Sequence, residues 1–228
     1  MSVVEKDEPW GIGDRPLAVW EIASVVSSML IAEWIAASVA GGSRLIVAIP
    51  IALAFAFMIV SHRLRRETLR DLGFRFDNFA RAGLLLLMPM AVTAILCFVI
   101  GRWGGSRTDF SNWHAGTPII LQLILGFSWG LAQQYVLQGF INRRAQLVSG
   151  QGWLSVLFVA AVFSALHLPN LWLVVVTLVG GVVWAAVYQR VPNLFALAVS
   201  HSVMTWVIVS TLPASALHHL RIGFKYFG

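Results

Sequence analysis

Apolar runs recur along this chain, most close to the roughly 20 residues a helix needs to cross hydrocarbon, separated by short polar breaks. Seven of them, near 17–40, 45–61, 82–101, 118–141, 153–168, 171–189 and 193–212, predict seven membrane helices. Pro16, Pro118, Pro169 and Pro192 stand at or near helix starts, where proline is tolerated. Gly41-Gly42, Gly104-Gly105 and Ser149-Gly150-Gln151-Gly152 punctuate the connections. The last stretch, 215–228, is amphipathic and short, and predicts an interfacial helix in preference to an eighth span. The ten-residue alternation of outer-membrane strands is absent. The expected fold is therefore all-α, a polytopic transmembrane bundle of seven or eight spans. One domain, 17–228, follows a polar tail, 1–16.

Composition agrees. The 228 residues are 58% hydrophobic and 11% charged, against about 25% charged in ordinary soluble domains. The net charge of +6 comes largely from loop arginines, which set membrane topology, so nucleic acid is not an expected partner. Arg63, Arg65, Arg66, Arg70, Arg75 and Arg81 crowd the loop Ser61–Arg81. By the positive-inside rule that loop is cytoplasmic, and so is the N-terminus; Arg143, Arg144 and Arg190 fall on the same side. The polar, acidic N-terminus has no basic segment ahead of an apolar core and reads as no cleaved signal peptide. Cys97 stands alone, which excludes an intrachain disulfide and points to a packing residue.

Polar residues inside the apolar runs are the candidates for chemistry. Gln133, Gln134 and Gln138 sit in the fourth run, Phe163 and His167 in the fifth, His201 and Thr205 in the seventh. Gln134 and Gln138, Phe163 and His167, and His201 and Thr205 are each four apart, hence on one helix face. One such residue can serve as interhelical glue; three clusters on separate spans point to a functional interior. The last acid in the chain is Asp109, so two histidines lack the third protein ligand of a catalytic zinc site, and no metal or cofactor is expected. Ser164, Ser200 and Ser202 lie near the histidines in sequence, but no nucleophile-elbow GxSxG accompanies them. Within the predicted spans only Glu21 and Glu33 carry carboxylates. Glu33 has two candidate partners, Arg44 and the polar cluster.

The runs AQQYVLQGF, FSALHLPN and NLFALAVSHSVMT resemble the CPBP family, also called the Abi or CAAX-protease family of intramembrane proteases. Its EExxxR pattern falls on Gln133, Gln134 and Gln138, followed by Gly139; FxxxH falls on Phe163 and His167, trailed by Leu168-Pro169-Asn170. HxxxN falls on His201 with Thr205 in the asparagine place, and Leu69-Arg70-Asp71-Leu72-Gly73-Phe74 resembles the lead-in. The resemblance covers about 69–212. It implies a hydrolase of lipidated CAAX-like, leader or transmembrane peptides in which the first glutamates and the FxxxH histidine activate water. The later histidine, with the asparagine, stabilises the oxyanion. Gln133, Gln134, His167 and His201 are then the catalytic candidates. Gln138, Phe163, Thr205, Asn170 and Glu33 support them. Membrane lipids are the surroundings, and an inner (plasma) membrane of bacterial type is the expected location.

Here the motif glutamates and the motif arginine are all glutamine. A carboxamide positions water but cannot take its proton, whereas a desolvated carboxylate can. Removing the acids and the cation together leaves no buried charge unpaired. Three readings stay open: a protease led by His167 or by a borrowed Glu33, a silent relative that binds a membrane peptide as scaffold or immunity factor, and a small transporter. Broken-helix repeats, which the last would favour, are not evident.

Overall fold

A computed structural model describes residues 14–41, 43–110 and 117–227. Its helices are α1 (Asp14–Val39), α2 (Arg44–Leu64), α3 (Phe79–Trp103), α4 (Ile119–Ser149), α5 (Trp153–Ala165), α6 (Leu171–Arg190) and α7 (Leu194–Thr211). All seven predicted helices are present, and six are long and apolar enough to cross a membrane. Most of the polar tail assigned to 1–16 lies outside the described residues.

Two predicted lengths need correction. The fourth run continues past 141 to Ser149, making α4 31 residues long. Asn142, Arg143 and Arg144 look like a loop in sequence, yet they stay helical because tertiary partners receive them. The fifth run is only 13 residues long in α5, about 20 Å at 1.5 Å per residue and short of the ~30 Å core. The C-terminal segment forms neither an eighth span nor an extended interfacial helix. It makes two tight 3-10 turns, His218–Leu220 and Gly223–Tyr226, laid against the bundle.

The core runs through the bundle's middle, where Val25 of α1, Met58 of α2, Leu86 of α3, Phe140 of α4, Val159 of α5, Tyr188 of α6 and Leu197 of α7 are buried together. Large apolar side chains elsewhere, such as Leu84, Leu87, Met88 and Ile95 of α3, face outward, as hydrocarbon permits. Small residues bring helices close. A Cβ on Gly130 would meet the Ala198 carbonyl oxygen at 2.9 Å, and one on Gly181 would meet Ala160 Cα at 2.9 Å. Glycine at these points lets α4 lie on α7 and α6 on α5.

The loop between α2 and α3 is a docking element. Gly73, at φ +94°, brings backbone against Asn193 and Leu194 at the start of α7, and its carbonyl accepts the Leu194 N–H at 2.8 Å. Tyr188 donates to Leu72 O at 2.9 Å, and Arg143 to Asp71 O at 2.9 Å. Beside it lies a buried ionic network. Fully buried Arg144 donates to Glu67 at 2.8 and 3.0 Å and to Ser61 at 3.0 Å, with its Nε 2.9 Å from Glu21. Arg143 and His62 also reach Glu67, and Arg65 reaches Glu21. Burial alone would raise the Glu67 carboxyl. The hydrogen bonds from His62 and Arg144, with the charges of Arg144 and Arg143, outweigh that and hold it well below the usual glutamate range. The network joins α1, α2, α4 and the loop, and thereby sets where α1 lies relative to α4.

Candidate active site

Two segments depart from α-helical bonding: Ile31–Ala36 in α1 and Tyr135–Asn142 in α4 are π-helical. Such widenings often mark functional sites. The first carries Glu33 and the second begins immediately after Gln133-Gln134.

Three adjoining cavities surround the predicted residues, and Trp129 lines all of them. One, of about 150 Å³, is lined by Glu33, Gln133, Phe163 and His167, among apolar neighbours that include Ile222. The next, of about 170 Å³, shares Gln133, Phe163 and His167 and adds Trp184, His201 and Thr205. The third and largest, about 770 Å³, begins at His201 and Thr205 and runs past Leu125, Val209 and the tail residues Leu217 and Leu220. Glu33 thus faces the polar cluster from α1, and Lys225 of the tail is within electrostatic range of it. Of the two candidate partners, the structure places Glu33 with the cluster.

The two histidines present different edges. His167 Nδ1 lies 2.8 Å from the Phe163 carbonyl oxygen, which only accepts, so Nδ1 carries the proton and Nε2 keeps its lone pair. Its ring packs edge-on against Phe163, centroids 4.8 Å apart. His201 Nδ1 lies 3.0 Å from Gln134 Nε2. Its ring stacks on Trp184, and the Trp184 indole donates to Ser200 Oγ at 2.9 Å.

The three glutamines separate. Gln133 faces the cavities; Gln134, fully buried, supports His201 from behind. Gln138 lies away from the cavities and accepts from Asn142 Nδ2 at 2.7 Å. Asn170 is structural: its side chain caps α6 at Leu173 N and donates to the Leu217 and Arg221 carbonyl oxygens, tying the tail down. Ser164 is turned to the Val174 carbonyl and Ser202 to those of Gly126 and Ala198. Among the described residues no three His, Cys, Asp or Glu side chains converge as metal ligands would. Sequence reasoning missed Trp129 and Trp184. Trp129 was within reach, because it stands four residues before Gln133 on the same face. Nothing in the spacing announces the Trp184 stack.

A polytopic helical bundle in which Gln133 of α4, His167 just beyond the end of α5 and His201 of α7 line adjoining cavities is the class that fold and site define. Residues 112–207, from before α4 into α7, match the family described as type II CAAX prenyl endopeptidase Rce1-like. That match is consistent with the CPBP resemblance of the sequence. Comparison with curated proteins and with solved structures gave no match.

Proposed function

We propose that this chain is an intramembrane endopeptidase that cleaves lipidated CAAX-like, leader or transmembrane peptides, with Glu33 supplying the carboxylate its motif lacks. The observation that carries the reading is the cavity shared by Glu33, Gln133 and His167. Its volume exceeds the ~30 Å³ that one water occupies in the liquid. A water held by the Gln133 carboxamide gives a proton to His167 Nε2 as its oxygen attacks the scissile carbonyl carbon. The Glu33 carboxylate stabilises the imidazolium that forms, which a glutamine could not do. His201 donates to the tetrahedral oxyanion. Collapse breaks the C–N bond, and His167 returns the proton to the leaving amine.

The test uses purified protein in liposomes with prenylated and leader-type peptides. Parent cleavage that is lost in both His167→Ala and Glu33→Gln is the expected result. Parent cleavage that survives Glu33→Gln would remove Glu33 from the mechanism. The carboxamides at 133, 134 and 138 favour a second reading, a relative that binds peptide without cutting it. An inactive parent that gains cleavage as Gln133→Glu would establish that reading instead.

A further inference from the structure

The three cavities all lie toward one end of the bundle. Along α4 they touch residues from Leu125 to Leu137 and none later, and along α7 they touch His201 and residues after it. The Ser61–Arg81 loop docks at the opposite ends of these two helices, where Gly73 O receives the Leu194 N–H and Asp71 O receives Arg143. That loop lends no residue to any of the three cavities.

Between loop and site the bundle is closed. Phe140, Ile141, Asn142 and Arg144 are fully buried, and Arg144 binds both Glu67 and Glu21. Gln133 stands eleven residues before Arg144, and Glu33 twelve residues past Glu21. At 1.5 Å per residue, about 16–18 Å of packed helix therefore separates the site from the ionic network. In the other direction the largest cavity continues from His201 and Thr205 to Val209, then to Ala214 and His219 beyond the end of α7, both of them exposed. The way out of the site is at the tail end of the bundle.

Arginine distribution tells the two ends apart. Arg15 and Arg81 at helix starts, Arg63, Arg143, Arg144 and Arg190 at helix ends, and four more in the loop all stand at the closed end. Arg44, Arg102, Arg107, Arg221 and Lys225 are the five cations of the tail end. The positive-inside rule weighs Lys and Arg near span ends and gives acids little weight, so the closed end is cytoplasmic.

We infer that the site opens on the non-cytoplasmic face, and that its substrates in the cell are leader or transmembrane segments of exported chains, whose backbone is presented there. A CAAX-like end confined to the cytoplasmic face meets the closed end instead. The substrate half rests on the peptidase reading above, while the opening is measurable without any substrate.

The experiment applies a membrane-impermeant maleimide to bacterial spheroplasts, which expose the outer face of the inner membrane, and to inverted membrane vesicles, which expose the cytoplasmic face. The full chain carries Cys97→Ser, removing its single cysteine, and one reporter. Thr205→Cys reports from the site, Ala214→Cys from beyond α7 and Leu69→Cys from the loop. Thr205→Cys and Ala214→Cys are expected to label in spheroplasts and not in inverted vesicles, and Leu69→Cys the reverse. Leu69→Cys labelling in spheroplasts, or Ala214→Cys labelling in inverted vesicles, overturns the orientation, and neither substitution touches the core. Thr205→Cys labelling in inverted vesicles, or in neither preparation, overturns the opening. A leader-type peptide given to both preparations of the parent, with His167→Ala membranes as background, separates the two claims. Cleavage is expected in spheroplasts alone. Labelling as expected with no cleavage in either sinks the peptidase reading alone, and cleavage in inverted vesicles sinks this inference alone.

Discussion

The indole of Trp184 lies flat on the imidazole of His201, centroids 4.6 Å apart and planes 4° apart. Its N–H is held by Ser200 one residue earlier on α7, so the stack and the hydrogen bond come from adjacent positions and lock the indole in place. Trp184→Leu removes both and frees the His201 ring to turn. Misplacing a catalytic group by about an ångström costs on the order of 10²-fold in rate. The expected outcome is a loss of that size in kcat on prenylated peptide, with KM little changed. Trp184→Phe keeps a ring over His201 but leaves the Ser200 hydroxyl without its indole donor, and is expected to lose less.

Gly130 is the point where α4 is let down onto α7. Its absent Cβ would lie 2.9 Å from the Ala198 carbonyl, 2.9 Å from Ser202 Oγ and 3.5 Å from His201 Cβ. The first neighbour is backbone and cannot step aside. Gly130→Ala is expected to cost ~1–3 kcal/mol as overpacking, read as a lower thermal midpoint in detergent. Because Gln134 stands one turn further along α4, the same variant also lengthens its hydrogen bond to His201.

Stability depends on pH through Glu67. Its folded pKa is lowered, so its contribution is fully present above the ordinary glutamate value, ~4.3. It is lost as pH falls below that toward the folded value. Thermal unfolding followed from pH 7 down to pH 3 is expected to show a decline in the parent that Glu67→Gln flattens. Arg144→Leu is the severer change, since it takes the fully buried cation shared by Glu67 and Glu21 and leaves them Arg143 and Arg65 at the network's edge. Removing one member of a buried pair costs roughly 3–5 kcal/mol.

The helices were legible because the signal is local: an apolar run of spanning length needs no knowledge of neighbours. Where partners decide, the sequence said less. Arg143 and Arg144 end an apolar run and look like loop, and partners more than 70 positions away, Glu67 and Glu21 with Asp71 and Ser61, keep them inside α4. Spacing within a helix put Gln134 and Gln138 on one face but could not turn Glu33 of α1 toward Gln133 of α4, because periodicity carries no information between helices. The resemblance supplied that information for α4, α5 and α7. It had no motif in α1, so Glu33 was left with two candidate partners.

The C-terminal segment forms part of the wall of two cavities through Leu220, of a third through Ile222, and of the largest also through Leu217. It packs on α1 at Gly223, whose backbone φ is +56° and whose Cβ, if present, would lie 2.5 Å from the Glu33 carbonyl oxygen. Gly223→Val meets that oxygen and a backbone conformation that branched residues avoid. About 1–3 kcal/mol of overpacking shifts a docked–undocked equilibrium by about 5- to 150-fold. A cysteine placed as Thr205→Cys, in a Cys97→Ser background, reports on access, since Thr205 shares its cavity with Leu220 and Ile222. Gly223→Val is expected to speed thiol labelling at that position by about tenfold without lowering the helical content. Unchanged labelling would mean that the segment, though packed on Glu33, does not limit entry to the site.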